Sequence, residues 1–203
     1  MSKFRSFDLF TSRNLILAND PCKDGLADFD AAFPDLVINP DRLVSLVDVA
    51  KGIKIEYSIW CLRVTPPEQA EDTKLFCRLF VGQVAMQSLH IFESDYPADK
   101  RPRKAIEIAL SKTISSADAA AHAAHAAHAA DVADVGHAAR AAHAARAAAR
   151  AAHAAHAADV ARAAIRAAHS VYVAHTVRAK HKEILIAGLL GQVDMYNINT
   201  FLT

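Results

Sequence analysis

Residues 117–168 constrain this chain more than any other feature, because 31 of these 52 residues are alanine. Alanine has the highest helix propensity, and nothing else explains so much of it in a folded chain. The polar residues of the tract are spaced too closely for one straight helix. Asp118 to His169 covers 51 residues in sixteen steps, a mean of about 3.2, whereas an α-helix needs 3.6 to hold a stripe on one face. At 100° per residue each step slips about 40° backwards, so an unbroken helix would carry its polar stripe nearly twice around. A single helix over residues 103–180 would also span roughly 115 Å, too long for a small domain. The pattern predicts a break at Gly136 and two helices, about 116–134 and 137–180, packed as a hairpin with alanine faces that let the axes approach to about 8 Å. Ser115-x-x-Asp118 resembles a capping box that opens the tract.

Alanine buries little apolar surface, so the core must come from elsewhere. The larger apolar residues lie mostly before Ala105 or after Val171, so the two ends build the core. A chain of 203 residues, 53% hydrophobic with net charge +1, suits one domain and excludes general disorder. We read residues 1–203 as a single all-helical domain, with a short-helix part over 1–52 and a second helical part over 53–203. Residues 1–104 carry 14 basic and 15 acidic groups and residues 105–203 carry 9 and 7, so neither half is basic enough to announce nucleic acid. Cys22, Cys61 and Cys77 are odd in number and lack CxxC spacing, which predicts reduced, mostly buried thiols. MSKFRSFDLF lacks the apolar run of a signal peptide, and no stretch has the length and apolarity of a membrane span. The expectation is a soluble cytoplasmic protein.

Local patterns predict a series of helices. Cys22–Phe33 places Leu26, Phe29, Ala32 and Phe33 on one face, and Asp35–Asn39 reads as a short extended piece. Asn39-Pro40-Asp41 resembles a helix start, followed by Leu43, Leu46, Val47 and Ala50 at i, i+3, i+4, i+7, and Gly52 ends that helix. Ile55–Val64 reads as a helix. Thr65 is placed to cap the next one, whose apolar face is Leu75, Leu79, Gly82, Met86, Leu89 and Phe92. Ser94–Lys100 is a loop. Pro102 then sits in the first turn of a helix through Ala105, Ile106, Ala109 and Leu110, and Gly188 and Gly191 close the last helix.

Candidate chemistry is sparse. His122, His125, His128 and Asp131 form an HxxHxxHxxD series, but His122 and His128 lie about 240° apart on a helix, so one ion cannot use all three; no metal or other cofactor is expected. No GxSxG, Walker loop, HExxH or GxGxxG is present, which argues against an enzyme. Arg140, Arg146, Arg150, Arg162 and Arg166 could form a basic ridge for phosphate contact, diluted by Asp131, Asp134 and Asp159. Full protonation of eleven histidines would carry the charge from +1 towards +12, which predicts lower stability below about pH 6.

The segment LHIFESDYPADKRPRKAIEIALSKTISSADAAAHAAHAA (residues 89–127) is different in kind. Its DKRPRKAIE core, with IEYSIWCLRV and RLFVGQVAMQSLHIFE upstream, resembles the Imm5 family of immunity proteins over about residues 55–180. Lys100 stands where the family's usual pattern has a second acid. The resemblance implies an all-helical, non-enzymatic protein of bacterial or phage origin that neutralises a toxin by binding it, and it carries over no catalytic residues. Asp95, Asp99, Arg101, Arg103 and Lys104 are then the candidate partner-binding residues. Alternatively Asp99 caps the following helix while Arg101 or Arg103 pairs with Glu93 or Asp95. Two other functions stay open, a nucleic-acid-associated protein using the Arg140–Arg166 ridge and a structural protein that self-associates through alanine faces.

Overall fold

The computed structural model describes residues 4–112, 175–197 and 200. Strand β1 (Phe10–Thr11) is followed by three short helices, α1 (Arg13–Leu17), α2 (Lys23–Ala32) and α3 (Asp35–Ile38). Strand β2 (Val44–Ser45) runs straight into α4 (Leu46–Gly52), and α5 (Ile55–Cys61) comes next. After a 3₁₀ turn at Pro67–Gln69 come the long helix α6 (Ala70–Asp95), then α7 (Arg101–Leu110) and α8 (His175–Leu189). The fold class is all-α, as expected. The sheet among the described residues is the antiparallel β1–β2 pair, with Phe10 opposite Ser45 and Thr11 opposite Val44. The predicted alanine-rich hairpin, its break at Gly136 and the Ser115/Asp118 box lie outside the described residues.

Helix α6 is the axis of the core. Phe76, Cys77, Leu79, Phe80, Val81, Val84 and Ala85 are all fully buried and point in every direction around it, the signature of a helix enclosed by its neighbours. Helices α7 and α8 pack against it, and α8 also rests on α4 and α5. Gly82 is what lets α7 come close: a Cβ there would lie 2.6 Å from Leu110 Cδ2 and 2.9 Å from Leu110 Cγ. No single described helix is long and apolar enough to cross a membrane.

Polar side chains tie distant parts of the chain to this axis. The buried guanidinium of Arg78 donates through Nη1 to the carbonyls of Ala109 and, at 2.9 Å, Ser111, satisfying the open C-terminal end of α7. Gln83 Nε2 donates to the carbonyls of Met195 and Asn197, both at 2.9 Å. Lys182 Nζ donates to the carbonyls of Lys51 and Ile53 at 3.3 and 3.2 Å and so closes the end of α4. Phe7 N donates to Leu189 O at 2.8 Å, joining the first described segment to the last helix. His181 is buried, its Nε2 has no hydrogen-bond partner among the described residues, and burial pushes its pKa down to about 4.

Several local expectations are corrected. Asp35–Ile38 is a helical turn, not an extended piece. No helix starts at Asn39-Pro40-Asp41. There Pro40 O accepts from Asn14 N at 3.0 Å, and Asp41 Oδ1 accepts from Asn14 Nδ2 at 2.6 Å. Pairing of Val44–Ser45 with β1 delays the helix to Leu46. Ser45 then caps it, Oγ accepting from Asp48 N at 3.1 Å and donating to Asp48 Oδ2 at 2.9 Å. Thr65 caps nothing: its Oγ1 lies 2.9 Å from Thr73 Oγ1 in a hydroxyl pair. Helix α6 continues to Asp95, so the loop begins at Tyr96 rather than Ser94. The last helix passes residue 180 to reach Leu189. Gly188 sits inside it beneath Met195, whose Sδ would lie 2.8 Å from an added Cβ. Gly191, at φ 61°, follows its end in the left-handed conformation that glycine favours.

Candidate functional site

The DKRPRKAIE segment forms the corner between α6 and α7. Tyr96 N donates to Phe92 O at 2.9 Å, and the two rings stack with centroids 5.1 Å apart, so the helix end is pinned. Asp99 N donates to Tyr96 O at 3.1 Å, which turns the chain. Asp99 Oδ1 then accepts from Arg101 N at 3.0 Å, taking up one of the open N–H groups at the start of α7. Pro102, Ala105, Ile106, Ala109 and Leu110 are buried, so α7 keeps its apolar face on α6 while Lys104 and Glu107 are exposed.

Two forked ion pairs fix the corner. Arg101 Nε and Nη2 both bind the Asp99 carboxylate, at 2.9–3.1 and 2.6 Å. Arg103 Nε and Nη2 bind Glu93 Oε1 and Oε2 at 2.7 and 2.6 Å, and Lys100 Nζ stands 3.6 Å from the same Glu93. The Arg103 hydrogen bonds, aided by the Lys100 charge, hold the Glu93 carboxyl below its usual range against partial burial. Arg101 does the same for Asp99, and both guanidinium groups are correspondingly harder to deprotonate.

Of the five sequence-derived contact residues, the structure joins Asp99 to Arg101, gives Arg103 to Glu93, and leaves Asp95 and Lys104 exposed outside both pairs. Glu93, not Asp95, is the partner of Arg103. Chemically the corner is a rigid strip of alternating charge rather than a free cationic patch. Among the described residues no group of three or more His, Cys, Asp or Glu is placed to hold a metal. The histidine series from His122 to Asp131 and the ridge of Arg140, Arg146, Arg150, Arg162 and Arg166 lie outside the described residues. Sequence reasoning missed Arg78 and Gln83. Their only signal was a polar residue interrupting the apolar run of α6.

No family model matches the chain, and no curated protein or solved structure matches it either. The resemblance to the Imm5 family therefore rests on the residues quoted above.

Proposed function

We propose that this chain is a non-enzymatic binding protein of the immunity type, acting in the cytoplasm of a bacterium or phage-infected cell by covering the active surface of a partner protein. The observation that carries this reading is the preorganised α6–α7 corner. Arg101 and Arg103 are already locked by their carboxylates, so a partner need not order these long side chains on binding, a cost of about 0.5–1.5 kcal/mol for each one otherwise immobilised. Asp95, Lys100 and Lys104 flank them as exposed charges, which steer encounter and reject wrongly charged partners.

The test is a pull-down from host lysate with nuclease treatment, using a tag other than polyhistidine, read by mass spectrometry. One stoichiometric protein survives nuclease, and the pair of charge reversals Asp95→Lys and Lys104→Glu removes it while circular dichroism stays unchanged. Capture that is indifferent to both reversals refutes the corner. Loss of every partner on nuclease treatment transfers the function to nucleic acid, with the Arg140–Arg166 ridge as its interface.

A further inference from the structure

A concave feature lies upstream of the corner in the sequence, among residues 16–61. It is a cleft of about 370 Å³ between α1, α2 and α5, within the size range of small-molecule sites. Phe29, Tyr57 and Trp60 supply aromatic surface, and the buried Cys61 and Ile16 close the apolar wall. Gly25 lets the Tyr57 ring come close to α2: a Cβ there would lie 3.0 Å from Cys22 Sγ and 3.1 Å from Tyr57 Cδ1.

Charge selects the occupant. Among the described residues, the charged ones that line the cleft are Asp20 and Glu56, and no Lys, Arg or His does. Asp20 is exposed and held at φ 53°, a left-handed conformation that few residues other than Gly, Asn and Asp adopt. Lys54 stands outside the cleft in an ion pair with Asp28 at 3.3 Å. Tyr57 and Trp60 already attract cations on this protein, with Lys54 Nζ 5.7 Å and Arg63 Cζ 5.6 Å from their ring centroids. Burial above all, then Cys22, Asp24 and Asp28, hold the Tyr57 hydroxyl above its ordinary range against the opposing charge of Lys54.

We propose that this cleft is a binding site for a small organic cation with a flat apolar body, its ring against Phe29, Tyr57 and Trp60 and its ammonium group at Asp20. Apolar burial against the aromatic faces supplies the attraction, and the carboxylate selects the charge. An anion of the same shape meets repulsion, and a neutral analogue loses the ionic contact.

Trp60 is the only tryptophan in the chain, so its fluorescence reports on this cleft alone. The experiment titrates the full-length protein at pH 7 with 2-phenylethylammonium, 2-phenylethanol and phenylacetate at equal ionic strength. The cation changes Trp60 emission saturably and binds about tenfold more tightly than the alcohol or the anion. Asp20→Asn, which suits the same backbone conformation, weakens the cation several-fold without changing the alcohol. Equal affinity for all three probes, or an unaltered cation affinity in Asp20→Asn, overturns the charge assignment. Absence of a saturable change with any probe overturns the site.

Discussion

Arg103 holds Glu93 with both prongs of its guanidinium, bridging ten residues of chain across the α6–α7 corner. The pair is only partly shielded, with the Arg103 side chain 38% and the Glu93 side chain 18% exposed. Its two-point geometry puts it at the upper end of what surface pairs contribute. A double-mutant cycle with Arg103→Met and Glu93→Gln, followed by urea unfolding, is expected to give a coupling of about 0.5–1 kcal/mol that shrinks in high salt. Because Glu93 titrates below its ordinary value of 4.5 in the folded state, this contribution is present above that value. It is lost as pH falls through the lower folded value.

His181 governs a different pH window. Its folded pKa is about 4 against an ordinary 6.5, so between those values the unfolded chain binds one more proton than the folded one. Stability therefore falls as pH drops from 6.5 towards 4, by roughly 3 kcal/mol in full. His181→Leu removes both that proton and a buried nitrogen without a partner among the described residues. Urea midpoints at pH 7.5 and 5.0 should differ clearly in the parent and by much less in the variant. An unchanged difference would show that other groups carry the acid sensitivity.

Gly82→Ala is expected to destabilise the protein even though alanine is the better helix former by about 1 kcal/mol. The added carbon would sit 2.6 and 2.9 Å from Leu110 atoms, and overpacking of this kind costs about 1–3 kcal/mol. A melting temperature lower by about 2–10 °C is the outcome to look for. Combining it with Leu110→Val should recover part of the loss, which separates this contact from a general effect on α6.

Removing the Arg78 side chain should be more damaging than its single charge suggests. Arg78→Met removes the bonds that Arg78 gives to the Ala109 and Ser111 carbonyls, and a buried bond from a charged group contributes about 1.5–3 kcal/mol. Hydrogen exchange of α7 amides should accelerate before that of the α6 centre, because α7 loses its terminal tie.

The three thiols should separate cleanly by reactivity. Cys22 is exposed, whereas Cys61 and Cys77 are buried; burial pushes Cys61 up to about 12 and Cys77 higher still. Only the thiolate reacts, so a maleimide should label Cys22 alone in the native protein and all three after unfolding. Mass spectrometry of the labelled chain gives the count directly.

Helices with a sustained apolar period are legible in the sequence. Leu26, Phe29, Ala32 and Phe33 lie in or against the core from α2 and its C-cap, and Ala105, Ile106, Ala109 and Leu110 are buried on α7. Where Asp35–Ile38 forms one helical turn, four residues are too few to show a period. The Asn39-Pro40-Asp41 signal is a valid local helix start, but Asn14 claims both Pro40 O and the Asp41 carboxylate from 26 and 27 residues away. At the corner, the sequence offers Glu93 and Asp95 as examples of a partner for Arg101 or Arg103, and only the path of the chain gives Glu93 to Arg103 and Asp99 to Arg101. Arg78, Gln83 and His181 were illegible because their environments lie across long stretches of sequence. Gln83 binds carbonyls 112 and 114 residues away, beyond any local pattern.

The bond from Phe7 N to Leu189 O has a consequence for how the protein is made. A ribosome emits the chain from one end, and at about 5–20 residues per second roughly 10–40 s pass between those two positions. Throughout that interval Phe7 and the faces of α4 and α6 that receive α8 lack the helix that covers them. Completion of the core thus waits for α8, and nascent chains arrested before α8 should stay protease-sensitive however long they are held. Among the described residues, the helix that emerges last is also the one that seals the fold.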